Sequence, residues 1–389
     1  MTDKRPNVVI VGAGVGGLTA ALALSGAGVQ ALVLEQVPEL KPIGSGITLQ
    51  TNALQALDHV GLADSVRQRG AELTHASFCL DNGKQLLEVD MHRFGEEFGQ
   101  PSVCIHRGIL QQLLLEKVGQ HHVRTGVALS KIAQDARSVC LTMADGTQLM
   151  ADAVIGADGI RSFVRSQLWG PIELQKAGYT SWRGICRNEG LVAAGEANES
   201  WGTGKRFGFM PMDDEHLYWF ATESTSADSS EQDSTQSAMV PRFGTWHAPI
   251  GEIVRRTPDS EILQADLYEL PRLKAWGRGR VTLLGDAAHA MTPNLGQGGG
   301  MAIEDAIVLA DAYRKSTTVE AWLLDFSRRR KRRIRAMVTE SRRLGSLAQG
   351  NSFLARIVRN HVLPRIPKAL HDAQMRKLLR FEGVQARTK

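Results

Sequence analysis

Asn7-Val-Val-Ile-Val-Gly12-Ala-Gly14-Val-Gly-Gly17, then Leu18-Thr-Ala-Ala-Leu-Ala-Leu-Ser-Gly26, then Gln30-Ala-Leu-Val-Leu-Glu35 is the stretch that decides the fold. The apolar run Asn7 to Val11 has the composition of a buried parallel strand. A glycine turn follows it, then an Ala/Leu-rich helix to about Gly26, then a second strand from Gln30 to Leu34. This is a βαβ unit, which predicts a parallel sheet with a right-handed crossover. Gly12, Gly14 and Gly17 form GxGxxG at the strand–helix junction. Gly12 permits the tight turn, Gly14 lets the backbone approach a pyrophosphate, and Gly17 lets helix and strand pack closely. The helix N-terminus then offers free N–H groups and partial positive charge to phosphates. Glu35 ends the second strand, where a carboxylate accepts hydrogen bonds from an adenosine ribose. An acid at that place suits an unphosphorylated ribose, as in FAD or NAD. The alternative is a glycine-rich turn that binds nothing, and the strand, helix and acid together argue against it.

Two further strands, Ala153 to Gly156 (AVIG) and Arg280 to Leu284 (RVTLL), extend the same sheet. Each leads into a motif at the strand end, where parallel α/β sheets bind ligands. The first is Gly156-Ala-Asp158-Gly159-Ile-Arg161-Ser162, with Arg165 following. The second is Gly285-Asp286-Ala-Ala-His289, followed by Pro293 and Gly296-Gln297-Gly298. Asp286 is placed to accept hydrogen bonds from a polyol chain, or to cap a helix. Gly296, Gly298, Gly299 and Gly300 open a helix running toward Asp311. From about Gly178 to Ala221, Trp182, Trp201, Phe207, Phe209, Tyr218, Trp219 and Phe220 fall in strand-like runs that predict a separate covering sheet. Ser224 to Ala238 reads as an exposed polar loop, and from Met301 onward the pattern is helical. No internal repeat is visible.

The chain has 389 residues, 43% of them hydrophobic, enough for about two domains. No signal peptide and no apolar stretch of membrane-spanning length is seen. Cys79, Cys104, Cys140 and Cys186 are scattered without a CxxC pair, so neither a disulfide framework nor a zinc site is expected and a cytoplasmic setting fits. The net charge of +5 hides an asymmetry: from Arg328 to Lys389 there are 18 basic and 3 acidic residues, so the rest of the chain is acidic. Such a tail marks either a solvated helix face or an anionic partner. It lacks interleaved aromatics, so nucleic acid is not the expected partner. Phe353, Leu354, Ile357, Val358, His361 and Val362 recur at helical spacing, downstream of the basic run Arg328 to Arg335. That stripe either docks on the nucleotide domain or lies weakly on an anionic membrane surface, at the inner membrane of the cell.

The three motifs, in this order and spacing, resemble those of the class A FAD-dependent aromatic hydroxylases over Asn7 to about Arg335. The resemblance implies an α/β fold: a Rossmann-type FAD-binding domain with an inserted mixed-sheet substrate domain and a C-terminal helical segment. The expected divisions are 1–75, 101–176 and 265–340 for the discontinuous FAD domain, 76–100 and 177–264 for the substrate sheet, and 341–389 for the tail. It implies FAD held without a covalent bond by Gly12, Gly14, Gly17, Glu35 and Asp286. Arg107 has a cofactor role in the family, Asp158 lies in its motif for FAD and nicotinamide, and Pro293 lies beside the isoalloxazine. Gly296, Gly298 and Gly299 would offer N–H groups to the flavin pyrimidine ring, where reduced flavin carries negative charge. Many family members have Asn where this chain has Gly300. Lys41 to Thr48, Thr180 to Arg183, Gly202 to Phe209 and Ala290 to Gln297 look like the branch that hydroxylates 2-alkyl-4-quinolones at C3. They look less closely like the urate-hydroxylating branch, whose substrate-holding Arg and Tyr match Arg206 and Tyr218. Sheet packing with an exposed guanidinium is the competing reading for that pair.

The implied activity is a monooxygenase in which NAD(P)H reduces FAD, O₂ adds to give a flavin C4a-hydroperoxide, and an electron-rich aromatic or heteroaromatic ring is hydroxylated. Urate or hydroxybenzoate hydroxylation and alkene epoxidation are the nearest alternatives, and a flavin-binding sensor or interaction protein is the non-enzymatic one. No WxWxIP sequence indicates a halogenase. None of His106, His216 and His289 reads as a catalytic base: His106 is expected beside Arg107, His216 in a hairpin turn, and His289 in the flavin turn.

Overall fold

The computed structural model describes residues 7–42, 44–224, 234–350, 356–382 and 384. Strand Val8–Val11 is wholly buried and pairs in parallel with Ala31–Leu34 on one side and Ala153–Gly156 on the other. Val281–Leu283 adds in parallel beyond Ala153–Gly156, and Val123–Arg124 beyond Ala31–Leu34. Among the described strands of this sheet, the edge pair Gly277–Arg278 with Val281–Leu283 is the antiparallel one. Helix Val15–Gly26 returns from the first strand to the second, and helix Gly298–Arg314 packs beside it. The βαβ reading of the opening stretch is therefore the centre of the sheet, because strands buried on both faces can be apolar at every position.

The covering sheet has seven strands in the order Leu263–Glu269, Gln175–Arg187, His216–Ser224, Lys205–Pro211, Glu196–Trp201, His75–Leu80, Gln85–Asp90. Its two faces differ sharply. Trp182, Phe207, Phe209, Leu217 and Trp219 point away from the nucleotide domain and pack with Met239, Phe243, Ile250, Ile253 and Val254 of two short helices. The intervening residues, Ser181, Arg183, Arg206, Tyr218, Phe220 and Thr222, face the nucleotide domain, as the two-residue period of a strand requires. The aromatic signal that announced this sheet thus reports mainly its far side.

Four expected boundaries fall inside continuous elements: that at 75/76 cuts strand His75–Leu80 and that at 176/177 cuts strand Gln175–Arg187. The division at 264/265 cuts strand Leu263–Glu269, and that at 340/341 cuts the 30-residue helix Val319–Ala348. This helix packs on Gly298–Arg314 near its start, while Ala348 and Leu344 meet Trp201, Leu80 and Leu86 of the covering sheet near its end. It ties the two halves together, so no domain boundary interrupts it. Most of the expected loop from Ser224 to Ala238 lies outside the described residues, and helix Gln236–Phe243 already includes Ala238.

The basic run Arg328 to Arg335 is not one uniform surface. Arg330 and Arg333 are buried: Arg330 Nη1 lies 2.7 Å from Glu304 and Nε 2.6 Å from Asp305, and Arg333 Nε lies 2.6 Å from Glu304. Arg329 pairs with Asp311. Helical periodicity turns these positions inward, whereas Arg328, Arg332 and Arg335 stay exposed. In the tail, Phe353 and Leu354 lie outside the described residues. Ile357, Val358, His361 and Val362 are exposed rather than docked, and the residue that turns inward is Arg359, whose Nη1 donates to Gly202 O at 2.7 Å.

Candidate active site

A cleft of about 340 Å³ lies between the nucleotide domain and the covering sheet. Its first wall is mostly backbone. Gly12 has φ +107°, and a Cβ there would stand 2.4 Å from Ala157 O; one on Gly17 would stand 2.0 Å from Gly12 O. Those two glycines are required by close approach within the protein. Gly14 is different: a Cβ on it would meet nothing within 4 Å, because it faces the cleft. Gly14 also begins helix Val15–Gly26 without any side-chain cap. Gly298, which starts the 17-residue helix Gly298–Arg314, likewise has open space beside it, and that helix has no side-chain cap either. Two helix N-termini thus present uncapped N–H groups and positive dipole ends to one cavity, an arrangement that suits a phosphate and an electron-rich ring. The space at Gly14 and Gly298 is what a bound dinucleotide such as FAD would fill.

The expected cofactor residues separate into those that line this space and those that shape it. Arg107, Asp286, Pro293, Gly296, Gly298 and Gly299 line the cleft. Asp286 is exposed, caps nothing with its side chain, and makes no side-chain hydrogen bond to another described residue. Its carboxylate is free to accept from a ligand hydroxyl. Arg107 stands exposed at the rim, where its N–H donates to Ser45 O at 3.0 Å. Glu35 turns inward: Oε2 accepts from Ala13 N at 2.8 Å and Oε1 from Val37 N at 3.1 Å, so it fastens the glycine turn.

Asp158 does not line the cleft. Its Oδ1 accepts from Ser162 Oγ at 2.5 Å and its Oδ2 from Val164 N at 2.9 Å, so the carboxylate organises the start of helix Phe163–Trp169. Burial pushes its pKa above the usual carboxylate range despite those bonds. Only the flanking Ala157 and Gly159 reach the cavity. Gly300 also faces inward, with Ala53 Cβ 3.3 Å and Asn52 Nδ2 3.6 Å from where its Cβ would be. Asn52 there holds Gln297 and Glu304 at 2.9 and 2.7 Å, so the neighbouring helix supplies an amide beside this glycine.

The second wall is built from side chains. Tyr218 is buried, and its ring packs so closely on the backbone of Gly46 that a Cβ there would lie 2.3 Å from Cγ. Burial pushes the phenol up, against the opposing charge of Arg183, so it is protonated at neutral pH and serves as a donor. Arg206 lines the cleft but its guanidinium is only 2% exposed. Nε and Nη2 lie 2.7 and 2.5 Å from Glu199 Oε1, and Nη1 donates to Asn294 Oδ1 at 2.6 Å. The exposed guanidinium of the packing alternative is therefore absent, because Glu199 and Asn294 draw the group inward.

Sequence reasoning missed three contributors. Asn294, beside Pro293, accepts from Arg206 and from Tyr179 Oη at 3.1 Å, while its Nδ2 donates to Thr292 Oγ1 and Ser341 O, each at 3.0 Å. It fastens the Pro293 turn to the covering sheet. Arg183 and Ser181 also line the cleft. The signal for them was the alternation in Thr180-Ser-Trp-Arg183, where the buried Trp182 fixes which neighbours face the other way.

The histidines lie off the reaction space. His289 Nε2 is 2.6 Å from Asp305 in the buried ion cluster, His106 Nδ1 accepts from Gly108 N, and His216 stands beside Asp213. None of them lines the cleft. Among the described residues no cluster of His, Cys, Asp or Glu is suited to a metal ion.

Comparison with known proteins agrees with this architecture. The FAD binding domain family matches residues 5–341. The chain is 35% identical to the aurachin C monooxygenase/isomerase of Stigmatella aurantiaca, covering 96% of this chain and 98% of that protein. It is also 35% identical to the 2-heptyl-3-hydroxy-4(1H)-quinolone synthase of Pseudomonas aeruginosa, covering 97% and 98%. Among solved structures, Klebsiella pneumoniae HpxO complexed with FAD and uric acid superposes with a TM-score of 0.88 at 27% identity, over 95% of each chain.

Proposed function

The chain belongs to the FAD binding domain family of flavin-dependent aromatic hydroxylases, and we propose that within it this enzyme hydroxylates a 2-alkyl-4-quinolone at C3, with NAD(P)H and O₂ as co-substrates. FAD, when bound, would supply the redox chemistry: the two electrons of NAD(P)H pass to O₂, one oxygen atom enters the ring C–H bond as a hydroxyl, and the other leaves as water with NAD(P)⁺ released. The protein's part is to hold the ring, exclude water and place the reacting carbon. Gly14, Asp286 and the two helix N-termini hold the cofactor. Glu35 and Asp158 act by keeping the adjoining turns in shape.

The observation that carries the substrate reading is that the described side chains of the sheet wall of the cleft, Ser181, Arg183, Arg206, Tyr218, Phe220 and Thr222, include no carboxylate or imidazole, the lining carboxylate Asp286 belonging to the nucleotide wall. No histidine lines the cleft, and the Tyr218 phenol stays protonated. Such a site suits a ring that is already electron-rich at the reacting carbon. In a 4-quinolone the ring nitrogen conjugates through C2=C3 to the carbonyl, which enriches C3 without prior deprotonation by a strong base. The test is a panel of 2-heptyl-4(1H)-quinolone, urate and 4-hydroxybenzoate with NADH or NADPH. Product formation matched to NAD(P)H consumption is expected with the quinolone. NAD(P)H oxidation that yields only peroxide with the quinolone would reject that substrate.

A second reading concerns the tail. Ile357, Val358, Val362 and Leu370 are 37, 43, 48 and 61% exposed, and Arg356, Arg365 and Lys368 are exposed in the same segment. Apolar side chains among cations suit weak contact with an anionic lipid surface, where a lipophilic substrate partitions. No described helix is long and apolar enough to cross a membrane. Salt-sensitive cosedimentation with anionic but not neutral vesicles is expected, reduced by V362D/L370D. Equal, negligible sedimentation with both vesicle types would end this reading.

A further inference from the structure

Besides Arg107 at the rim, the covering sheet places two arginines in the cleft, and these two are in opposite electrostatic states. Arg206 is neutralised by Glu199, whose Oε1 also accepts from Trp201 Nε1 at 2.6 Å, and its remaining donor edge is held by Asn294. Drawing Arg206 toward a ligand would break charge-assisted bonds in a buried place, and removing a partner from such a pair is costly. Arg183 is only half-buried and makes no side-chain hydrogen bond or ion pair with any described residue. A partly desolvated cation without a partner is unfavourable unless water or a ligand supplies the counterpart.

Its surroundings are those of a binding edge. In the strand register Ser181 stands opposite Thr222 and Arg183 opposite Phe220, and all four side chains line the cleft. Tyr218 projects from the same face two residues from Phe220 and supplies a neutral O–H donor. Cation, phenol, hydroxyls and one aromatic side chain therefore converge on the space opposite the glycine wall.

We propose that Arg183, rather than Arg206, is the residue that binds the substrate's ring oxygen, taking a carbonyl, an olate or a carboxylate on its guanidinium edge. The planar fork matches such an acceptor. Where the bound ring oxygen carries an ionisable O–H, the positive charge favours loss of that proton to solvent water and holds the oxyanion, which raises electron density at the neighbouring carbon; a 4-quinolone carbonyl needs no such ionisation. Arg206 then acts as a positioning residue: with Glu199 and Asn294 it fixes the distance between the covering sheet and the Pro293 turn. This assignment rests on the cleft being the substrate site and holds for any oxygen-bearing ring, so it does not stand or fall with the quinolone.

The test uses the FAD-loaded enzyme and reads ligand affinity from the change in flavin absorbance, without NAD(P)H. The probes are 2-heptyl-4(1H)-quinolone, urate and 4-hydroxybenzoate, each measured with wild type, R183Q, R183K and R206Q. For whichever probe binds wild type, R183Q is expected to keep its FAD and lose about ten- to a hundredfold in affinity, the range for a hydrogen bond to a charged group. Product per NAD(P)H should fall with it, and R183K should restore part of both. R206Q should instead lower the melting temperature and FAD retention. Binding of urate or 4-hydroxybenzoate but not the quinolone, still dependent on Arg183, would reject the quinolone and sustain the assignment. Unchanged affinity in R183Q, loss of FAD from R183Q, or binding of none of the three probes to wild type would overturn it.

Discussion

The two walls of the cleft do their work with different material. On the nucleotide side the contacts on offer are backbone N–H groups at two helix starts, made accessible by glycines. On the sheet side they are side chains at alternate positions of three strands. Backbone groups cannot be changed by substitution, so the first wall suits one invariant ligand. Side chains can be exchanged one at a time while the strand stays in place, so the second wall is where substrate choice is set. Each wall also has a buried ion group behind it. Glu304 and Asp305 with Arg330, Arg333 and His289 stand behind the glycine wall, and Glu199 with Arg206 behind the sheet wall.

The largest expected effect comes from the first of these ion groups. Asp305→Asn leaves Arg330 and His289 facing a neutral amide and should destabilise the protein by about 3–5 kcal/mol, the cost of breaking a buried pair, measured by chemical denaturation. Burial pushes the Asp305 carboxyl up, but His289 and Arg330 more than reverse this and hold it below the ordinary range. A depressed carboxylate contributes stability that is present above the unfolded value of about 3.9 and is lost as pH falls through the folded one. Wild type should therefore lose stability on acidification more steeply than Asp305→Asn. Parallel acid curves would mean that this pair does not govern the acid limb.

Asp286→Ala should leave folding intact and weaken FAD by about 1.5–3 kcal/mol, or roughly ten- to a hundredfold, through one lost charged acceptor. Fluorescence titration of the apoprotein with FAD measures it, and unaltered affinity would remove Asp286 from the cofactor contacts. A pair of glycine variants sharpens the distinction between shaping and lining. Gly17→Ala puts a methyl group 2.0 Å from Gly12 O and should cost the apoprotein about 1–3 kcal/mol or more through overpacking. Gly14→Ala has room in the apoprotein and a compatible backbone, φ −74°. Its melting temperature without FAD should match wild type while FAD affinity falls. Equal destabilisation of the two apoproteins would contradict the open space at Gly14.

The smallest effect is expected at Tyr218. Tyr218→Phe removes a neutral donor and should raise the apparent KM by about tenfold or less, in line with roughly 0.5–1.5 kcal/mol for an uncharged hydrogen bond. Because burial raises the phenol's pKa, its loss should not move the pH–rate profile between pH 6 and about 9, below the ordinary tyrosine value. A displaced limb in that range would show that the phenol titrates during turnover.

The nucleotide half was legible because its signals are local. Turn, helix start and strand end lie within 29 consecutive residues from Asn7 to Glu35, and their geometry follows from glycine's missing Cβ. The covering sheet was legible as a sheet, but its aromatics marked the face that packs on the helices behind it. Asp158 read as a ligand contact because its motif sits at a strand end, yet Ser162 and Val164, a few residues on, take up its carboxylate.

By itself the sequence determined the parallel sheet, the cofactor class and the order of the three motifs, since each depends on neighbours along the chain. Only the tertiary structure decided which charges are available. Arg206 and Arg183 both sit on strand positions that face the cleft, and the sequence around each shows an arginine in a strand. What separates them is Asn294, 88 residues beyond Arg206, and Glu199 on the adjoining strand. The run from Arg328 to Arg335 reads as seven equal charges, while Glu304 and Asp305 on another helix hold two of them inside. Whether a cation can meet a ligand depends on the partners and the burial it already has, and these come from segments that only folding brings together.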